Sequence, residues 1–567
     1  MMKKIIAAVF LFIPLTITAQ VNTVRMDWVD SVMNTMSINE KIGQLFFVEL
    51  RSGDPSSVDE IEDWVKSHQI GGIFFNGKDA VEQLKLTRQL QRRAAVPLLI
   101  GMNMLPGLGS LDSVMQYPEP IMLGAIQHDS LLALLGYELA RAAKTMGVNT
   151  ALMPLGETMM SDKLNTASFS DRPEVVSKKS AVILNAMQQE GVLIFAKNFP
   201  VRGLTVTDLQ KGMPAIQVTL DSAESKPYQQ LFDDGLNGLI ASATDFPVFY
   251  SNASLTKKST FSPNSLSALF TGQWVKQKMN YNGLIATDIR SIEKQTKKYR
   301  EGDAEALAFQ AGNDLLMFSE DPGAAIKKIK KLIRNNNLYE QQLNNSVKKI
   351  LEAKYDAGQQ AQPYLTTDNL LAKLNPPTAK VLNQQLEQSA ITVIKNAGQP
   401  LPLSSIDNKQ FVCLLPDSSI LANSFYNALT NYVAVKKIIV HHQTDPVDVL
   451  NELADDAVVV MAVFASTAAQ SRHEFQQIIQ PLQGSHQVII ADFGNNDLWK
   501  KADNLNTIIT AYKASPGTVQ AMAEIIFGAL PAQGRLPIAF SQSMPSGTGL
   551  TTPAIGRLRY AIPESAG

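Results

Sequence analysis

The sequence predicts an α/β protein in which a (β/α)8 TIM-like barrel is followed by an α/β/α sandwich domain. Between residues 28 and 356, short apolar runs alternate with stretches of helical character, and further apolar runs follow a segment containing Gly358, Pro363 and Pro376. Continuous apolar strands separated by helices are typical of parallel sheets covered on both faces. Eight such units in succession favour closure into a barrel.

The predicted barrel strands are eight short, mainly apolar runs. They are 43–48, 70–75, 97–102, 150–153, 192–197, 238–241, 283–287 and 314–318. The second domain is predicted to contain strands 391–394, 411–415, 437–440, 457–463, 487–491 and 507–511. The resulting organisation is a signal peptide at 1–20, a barrel at 21–356, a linker at 357–380, a sandwich at 381–545 and a tail at 546–567.

The first twenty residues have the pattern of an export signal. Lys3 and Lys4 precede a short apolar run at 5–13, and Thr18-Ala19-Gln20 supplies small residues for cleavage. The run is shorter than the roughly 20 residues that span a bilayer. We therefore expect an exported protein, periplasmic or extracellular, without a membrane span.

The amino-acid composition limits the kinds of binding partner, metal and cofactor that are expected for this protein. The 567 residues include 51 Lys and Arg against 52 Asp and Glu, and nucleic acid would require a basic surplus. The single cysteine, Cys413, lies in an apolar strand-like run, so disulfides within the chain and thiolate metal sites are excluded. We expect no metal and no cofactor.

Polar residues follow four of the predicted barrel strands. In a barrel of this kind, reactive groups lie just past the C-terminal ends of the strands. The strand order therefore brings candidate groups from four strands to one rim: Asn103, Glu157, Lys197, Asn198, Asp208 and Asp288.

Several segments together resemble glycoside hydrolase family 3, in its β-N-acetylglucosaminidase-like branch. The run Lys197-Asn198-Phe199-Pro200 with Gly203, Thr205 and Asp208 is similar to the barrel signature of that branch. Further matching segments occur in the family's order at 40–46, 71–73, 97–101, 283–288, 311–314, 391–396 and 534–538. The resemblance covers roughly residues 28 to 550 and implies the same two-domain fold.

The resemblance also implies roles for individual residues. Asp288 matches the nucleophile of a retaining mechanism, and Asp208 matches the aspartate of an Asp–His acid/base pair. The histidine of that pair is Gln210 here, and an amide cannot deliver a proton near neutral pH. A capping aspartate at the start of a helix is the other interpretation of Asp288.

Other positions of the signature have also changed. Asn198 and Arg202 replace its two histidines, Asn103 replaces a carboxylate that binds sugar hydroxyls, and Glu157 replaces an aspartate. Lys197 is retained, and with these four residues it forms the expected substrate-binding set. Other branches of the family take an acid from the second domain, where Glu474 is the candidate, although a solvated helix start explains it as well.

Two functions remain open from the sequence. The first is a β-N-acetylhexosaminidase-type glycosidase, impaired by the glutamine at 210, that removes terminal N-acetylglucosamine-type β-linked sugars. The second is an exported pseudo-glycosidase that binds a glycan or a protein partner without cutting. The expected partner is carbohydrate, an amino-sugar glycan or a cell-wall fragment. The resemblance favours the first function, and the loss of ionisable groups favours the second.

Overall fold

A computed structural model describes residues 23–51, 55–109, 111–158, 167–200, 225–243, 263–295, 299–359, 365–440, 444–465, 478–494, 502–560 and 562–566. The chain forms two compact units. The first comprises Met1–Val114, Tyr137–Gly156 and Leu184–Leu374, and the second comprises Met115–Gly136, Glu157–Ile183 and Asn375–Gly567. The predicted signal peptide lies outside the described residues.

The first unit contains a closed barrel of eight parallel strands. These are β1 Phe46–Arg51, β2 Gly72–Asn76, β3 Leu99–Asn103, β4 Thr150–Met153, β5 Leu193–Phe199, β6 Gly238–Ala241, β7 Leu284–Asp288 and β8 Leu315–Met317. Each strand pairs with the next along the chain, and β8 pairs with β1 to close the ring. The predicted barrel is confirmed.

The α-helices of the described residues follow in sequence order. They are α1 23–35, α2 Ile38–Gly43, α3 Pro55–Ser67, α4 Ala80–Arg93, α5 Pro120–Ala125, α6 Asp129–Thr145, α7 Pro173–Gln189, α8 Lys226–Asp233, α9 Ile289–Gln295, α10 Asp303–Ala311, α11 Pro322–Asn335, α12 Asn337–Asp356, α13 Leu370–Leu374, α14 Pro377–Ala390, α15 Ile420–Thr430, α16 Pro446–Asn451, α17 478–485 and α18 Pro516–Ile526. A π-helix spans Leu269–Lys278. No described helix is both long enough and apolar enough to cross a bilayer.

Large and small residues alternate inside the barrel, and two glycines show why. A Cβ added to Gly72 would lie 2.0 Å from the ring of Phe47, and one added to Gly238 would lie 2.2 Å from the ring of Phe195. Both phenylalanines are fully or almost fully buried. The two glycines thus leave room for the rings that fill the barrel interior, where protein packing tolerates few voids.

The segment Asn313-Asp314 joins elements at the N-terminal end of the barrel strands. One carboxylate oxygen of Asp314 accepts from the backbone N–H of Ile285 at 3.0 Å, and the other accepts from the hydroxyl of Ser346 at 2.6 Å. The side chain of Asn313 donates to the backbone carbonyls of Ser265 and Ala308. Both residues are buried, and their bonds tie β7, α10, α12 and the segment before the π-helix together.

The second unit is built on a six-stranded sheet. Its strands are β9 Thr392–Asn396, β10 Phe411–Leu415, β11 Val435–Ile439, β12 Val458–Phe464, β13 Gln487–Phe493 and β14 Thr507–Thr510. The order is β11-β10-β12-β13-β14-β9, with only β9 antiparallel to its neighbour. A buried cluster including Cys413, Phe425, Phe493 and Met522 packs between the sheet and the α15 and α18 helices. The predicted fold class is confirmed.

The stretch predicted as a linker contains helical structure. Helix α12 ends at Asp356, the short helix Leu370–Leu374 follows, and Pro377 begins the next helix. The contact-defined division after the barrel lies between Leu374 and Asn375. The predicted domain limits at 356 and 381 remain predictions.

Candidate active site

Asp288 is the last residue of β7, at the C-terminal end of the barrel strands. Its side chain is half-buried, and Ser291 contacts both of its carboxylate oxygens. The backbone N–H of Ser291 donates to Oδ1 at 2.9 Å, and the Ser291 hydroxyl donates to Oδ2 at 2.7 Å. Asp288 therefore lies at the end of its barrel strand and caps helix α9, and its role as nucleophile remains a prediction.

Lys197 and Asn103 come together from two different strands. Lys197 lies in β5 and Asn103 ends β3, with β4 between them. The Nζ atom of Lys197 donates to Oδ1 of Asn103 at 2.9 Å. Both residues are half-buried.

The backbone is irregular at the end of β5, between Ala196 and Phe199. Asn198 has a φ of 61°, in the left-handed region that asparagine tolerates better than most residues. The register with β6 shifts between Ala196 and Phe199, as expected for a β-bulge. Bulges often redirect side chains next to active sites. The half-buried Lys197 and Asn198 lie at this irregularity.

An aromatic cluster supports this turn. The buried Phe199 ring packs against Tyr228, Phe232, Phe270 and Trp274, with centroid distances between 4.8 and 5.8 Å. The Tyr228 hydroxyl donates to the backbone carbonyl of Lys197 at 2.9 Å. This bond holds the main chain at Lys197 in place. We therefore expect mutations in the aromatic cluster to displace Lys197.

A charged pair next to Asp288 was missed by the sequence analysis. Arg290 donates to the carboxylate of Glu49, and its guanidinium lies 4.8 Å from the centre of the Phe318 ring. Glu49, in β1, also accepts from Arg51 at 3.1 Å and from Asn76 at 3.2 Å. The signal in the sequence was weak, because Glu49 and Arg290 lie in separate segments that only barrel closure brings together.

The environment of Glu49 keeps it ionised. Its side chain is only 5% exposed, and this burial alone would raise the pKa of the carboxyl group. Bonds from Arg51, Arg290 and Asn76 act in the opposite direction and hold the pKa below its usual value. Glu49 is thus a fixed anion that positions Arg290, two residues beyond the candidate nucleophile.

Two other carboxyl groups lie near the end of β8. Glu305 is 2% exposed, and one of its oxygens accepts from the Ser319 hydroxyl at 2.5 Å. Burial raises the pKa of Glu305, and burial together with the charges of Glu305 and Glu320 raises the pKa of Glu293. Within the described residues, no group of three or more His, Cys, Asp or Glu side chains could hold a metal ion.

Of the remaining predicted site residues, Glu157 belongs to the described part of the chain and the others do not. Glu157 belongs to the second unit and is 4% exposed, and its backbone carbonyl accepts from the Ser168 hydroxyl at 2.7 Å. Arg202, Asp208, Gln210 and Glu474 lie outside the described residues.

A comparison with known protein families identifies the family of this chain. Residues 37–353, more than half of the chain, match the model described as "Glycosyl hydrolase family 3 N terminal domain". The chain belongs to glycosyl hydrolase family 3. This membership accounts for the barrel and for the order of the matching segments.

Similar family 3 proteins span most of the chain. "Beta-hexosaminidase A" of Pseudoalteromonas piscicida is 23% identical over 84% of this chain and 90% of its own. "Beta-N-acetylglucosaminidase/beta-glucosidase" of Cellulomonas fimi is 21% identical over 66% of this chain and 68% of its own.

Solved structures share the fold. A family 3 β-N-acetylglucosaminidase from Paenibacillus sp. str. FPU-7 aligns with a TM-score of 0.64 at 20% identity, covering 89% of this chain and 99% of that chain. The structure titled "Beta-glucoside phosphorylase BglX bound to 2FGlc" aligns with a TM-score of 0.71 at 19% identity, covering 90% of this chain and 96% of that chain.

Proposed function

We propose that this protein is a retaining glycosidase of the β-N-acetylhexosaminidase type whose hydrolysis is slow. The observation that carries the proposal is the position of Asp288, a half-buried carboxylate at the C-terminal end of β7 whose orientation Ser291 fixes. Family membership and the names of the relatives support carbohydrate as the substrate class. The amino-sugar preference rests on the β-hexosaminidases among those relatives and on the sequence motifs.

In this mechanism a carboxylate oxygen of Asp288 attacks the anomeric carbon, and the glycosidic bond breaks with its electron pair leaving on the aglycone oxygen. Water then attacks the anomeric carbon of the glycosyl-enzyme, the ester bond to Asp288 breaks and frees its carboxylate, and Asp208 accepts the proton from the water. Lys197 and Asn103 bind sugar hydroxyls, with Asn198 and Arg202 completing the substrate-binding set. Because Gln210 cannot protonate the departing oxygen, aglycones that leave readily as anions are the preferred substrates.

The predicted export signal places this activity in the periplasm or outside the cell. Among similar proteins, one from Salmonella typhimurium is named "Periplasmic beta-glucosidase". Terminal amino sugars of cell-wall fragments or other glycans are then the accessible substrates.

A second candidate function is binding without cleavage. The specific observation that favours it is that Ser291 donates to both oxygens of Asp288, because two hydrogen bonds stabilise the carboxylate anion and so lower its nucleophilicity. Asn103 also favours binding without cleavage, because it is neutral at a position where the family has a carboxylate. In this case the rim holds an amino sugar, and Asp288 only caps its helix.

An activated aryl β-N-acetylglucosaminide separates the two functions, because its leaving group needs little help from an acid. We expect slow release of the aryl alcohol by the full-length protein and its loss in Asp288→Asn. Asp79→Asn is the matched control, because Asp79 also follows a barrel strand and caps a helix, through the backbone N–H groups of Val81 and Glu82. Release that persists in Asp288→Asn contradicts the nucleophile assignment. No release at high protein concentration, together with binding of N-acetylglucosamine, supports the second function.

A further inference from the structure

The second unit contains a cavity of about 1060 Å³ next to its sheet. It lies beyond the C-terminal ends of β12, β13 and β14, where Phe464, Phe493 and Tyr512 contribute to its lining. The first residues of helix α15 form another part of the wall. The volume is that of a site for a small organic molecule, for which pockets of roughly 300–1,000 Å³ are usual.

The strand order places this cavity at a specific point of the fold. After β10 the chain adds β11 on one side of it, and then returns to add β12 on the other side. In open α/β sheets, ligands bind in the crevice outside the carboxyl ends of the strands where the order reverses in this way. The reversal lies between β10 and β12, and residues that follow both strands line the cavity, Ile420 after β10 and Ala465 after β12.

The cavity walls are mainly apolar. The rings of Phe464 and Phe493 are nearly parallel, with centroids 4.8 Å apart and an interplanar angle of 11°, and Phe425 packs edge-on against Phe493. Ile420, the first residue of α15, is 85% exposed. Aliphatic side chains complete the lining around these rings: Ile121, Met122, Ile420 and Leu421.

Polar groups are few in the described lining, and the charged ones offset each other. Lys513 Nζ lies 2.5 Å from the Oε1 atom of Glu119, so the two charges form an ion pair. Ser419 caps α15 through its bond to the backbone N–H of Ala422 at 3.3 Å. A charged ligand would find no surplus charge of opposite sign here, and a sugar would leave many hydroxyl groups without partners.

We infer that the second unit binds an uncharged, largely apolar small molecule with a ring system in this cavity. Its ring lies against the apolar wall formed by Phe464, Phe493 and Ile420, and one hydroxyl or carbonyl group contacts the Lys513–Glu119 pair. This binding is a further function, and it requires no cleavage at Asp288.

Nile red, an uncharged aromatic dye whose fluorescence rises in apolar surroundings, is a suitable probe for the full-length protein. We expect saturable binding of one dye molecule per chain. Ile420→Asp places a charge in the apolar wall, and we expect the dissociation constant to rise at least tenfold. Because Ile420 is exposed, this change leaves the buried core intact.

Val447→Asp is the matched control. Val447 is also an exposed aliphatic residue in the first turn of a helix of the same unit, but it does not line the cavity. Ala465→Trp, at another exposed lining position, fills the space with a ring and provides a second test. Non-saturable binding, unchanged affinity in both lining variants, or an equal loss in Val447→Asp overturns the inference.

Discussion

Ser291 holds both carboxylate oxygens of Asp288, one through its backbone N–H at 2.9 Å and the other through its hydroxyl at 2.7 Å. The arrangement ties the candidate nucleophile to the first turn of helix α9. It also gives Asp288 a structural role that does not depend on any substrate.

The structural role of Asp288 predicts a difference between two substitutions. Asp288→Ala removes the cap of helix α9, and we expect the free energy of unfolding to fall by about 0.5–2 kcal/mol. Asp288→Asn retains an oxygen that accepts from Ser291 and caps equally well, so stability should change little although any hydrolysis is lost. Urea denaturation followed by circular dichroism measures both. Equal destabilisation by Asn and Ala would contradict the capping role.

The Lys197–Asn103 pair predicts that a carboxylate would strengthen sugar binding. In Asn103→Asp, Lys197 gains an ion-pair partner, and a charged acceptor makes hydrogen bonds about twice as strong as a neutral one. We expect N-acetylglucosamine to bind roughly tenfold more tightly, which corresponds to about 1.4 kcal/mol. Isothermal titration calorimetry provides the measurement. Asn103→Ala should weaken binding, and a sugar affinity that is the same in all three proteins would exclude this pair from the site.

Restoring a proton donor should help poor leaving groups selectively. In Gln210→His, we expect the rate of chitobiose hydrolysis to rise by about 10²–10⁴, the usual contribution of general acid catalysis. The rate with an activated aryl glycoside should change far less. Gln217→His introduces the same side chain seven residues later in the sequence and is the control. A similar increase for both substrates, or in the control, would show that the imidazole at 210 is not acting as the acid.

A buried lysine predicts a pH dependence of stability. Lys354 is fully buried and donates to Oε1 of Gln44 at 2.6 Å, and burial lowers its pKa from 10.5 to about 7. Between these values the unfolded chain binds the proton and the folded chain does not. The folded state therefore gains stability as pH rises from about 7 towards 10, by at most about 1.4 kcal/mol per pH unit.

Lys354→Met should remove this dependence. Urea unfolding of both proteins at pH 7, 8 and 9 gives the comparison, with Lys348→Met on the same helix as the control. We expect the wild type and the control to gain stability relative to Lys354→Met as pH rises. Parallel pH profiles for all three proteins would mean that Lys354 keeps its charge when folded.

Strand positions were predictable where apolar runs were sharply bounded. The strands at 150–153, 238–241 and 411–415 match the observed limits of β4, β6 and β10. The first strand was placed about three residues too early, because helix α2, which begins at the capping box of Ser37 and Glu40, continues to Gly43. The end of β5 extends to Phe199 through the bulge after Ala196, which periodicity alone does not reveal.

The site was less predictable than the fold, for a physical reason. Asn103 and Lys197 could be placed at one rim because parallel strands all end at the same face. The Glu49–Arg290 pair could not, because its geometry depends on the closure of β8 onto β1. The sequence predicted Asp288 as a possible cap of the next helix, but it did not predict that Ser291 would donate to both carboxylate oxygens.

The bonds of Asp314 and Asn313 lie at the end of the barrel opposite Asp288, and they join β7, α10 and α12. These bonds help to hold the folded chain together whether or not a substrate is ever turned over. A lineage can therefore retain the features by which its family is recognised while the opposite rim drifts. In such proteins, family membership is recognised at the N-terminal end of the barrel strands, whereas catalytic ability has to be judged at their C-terminal end.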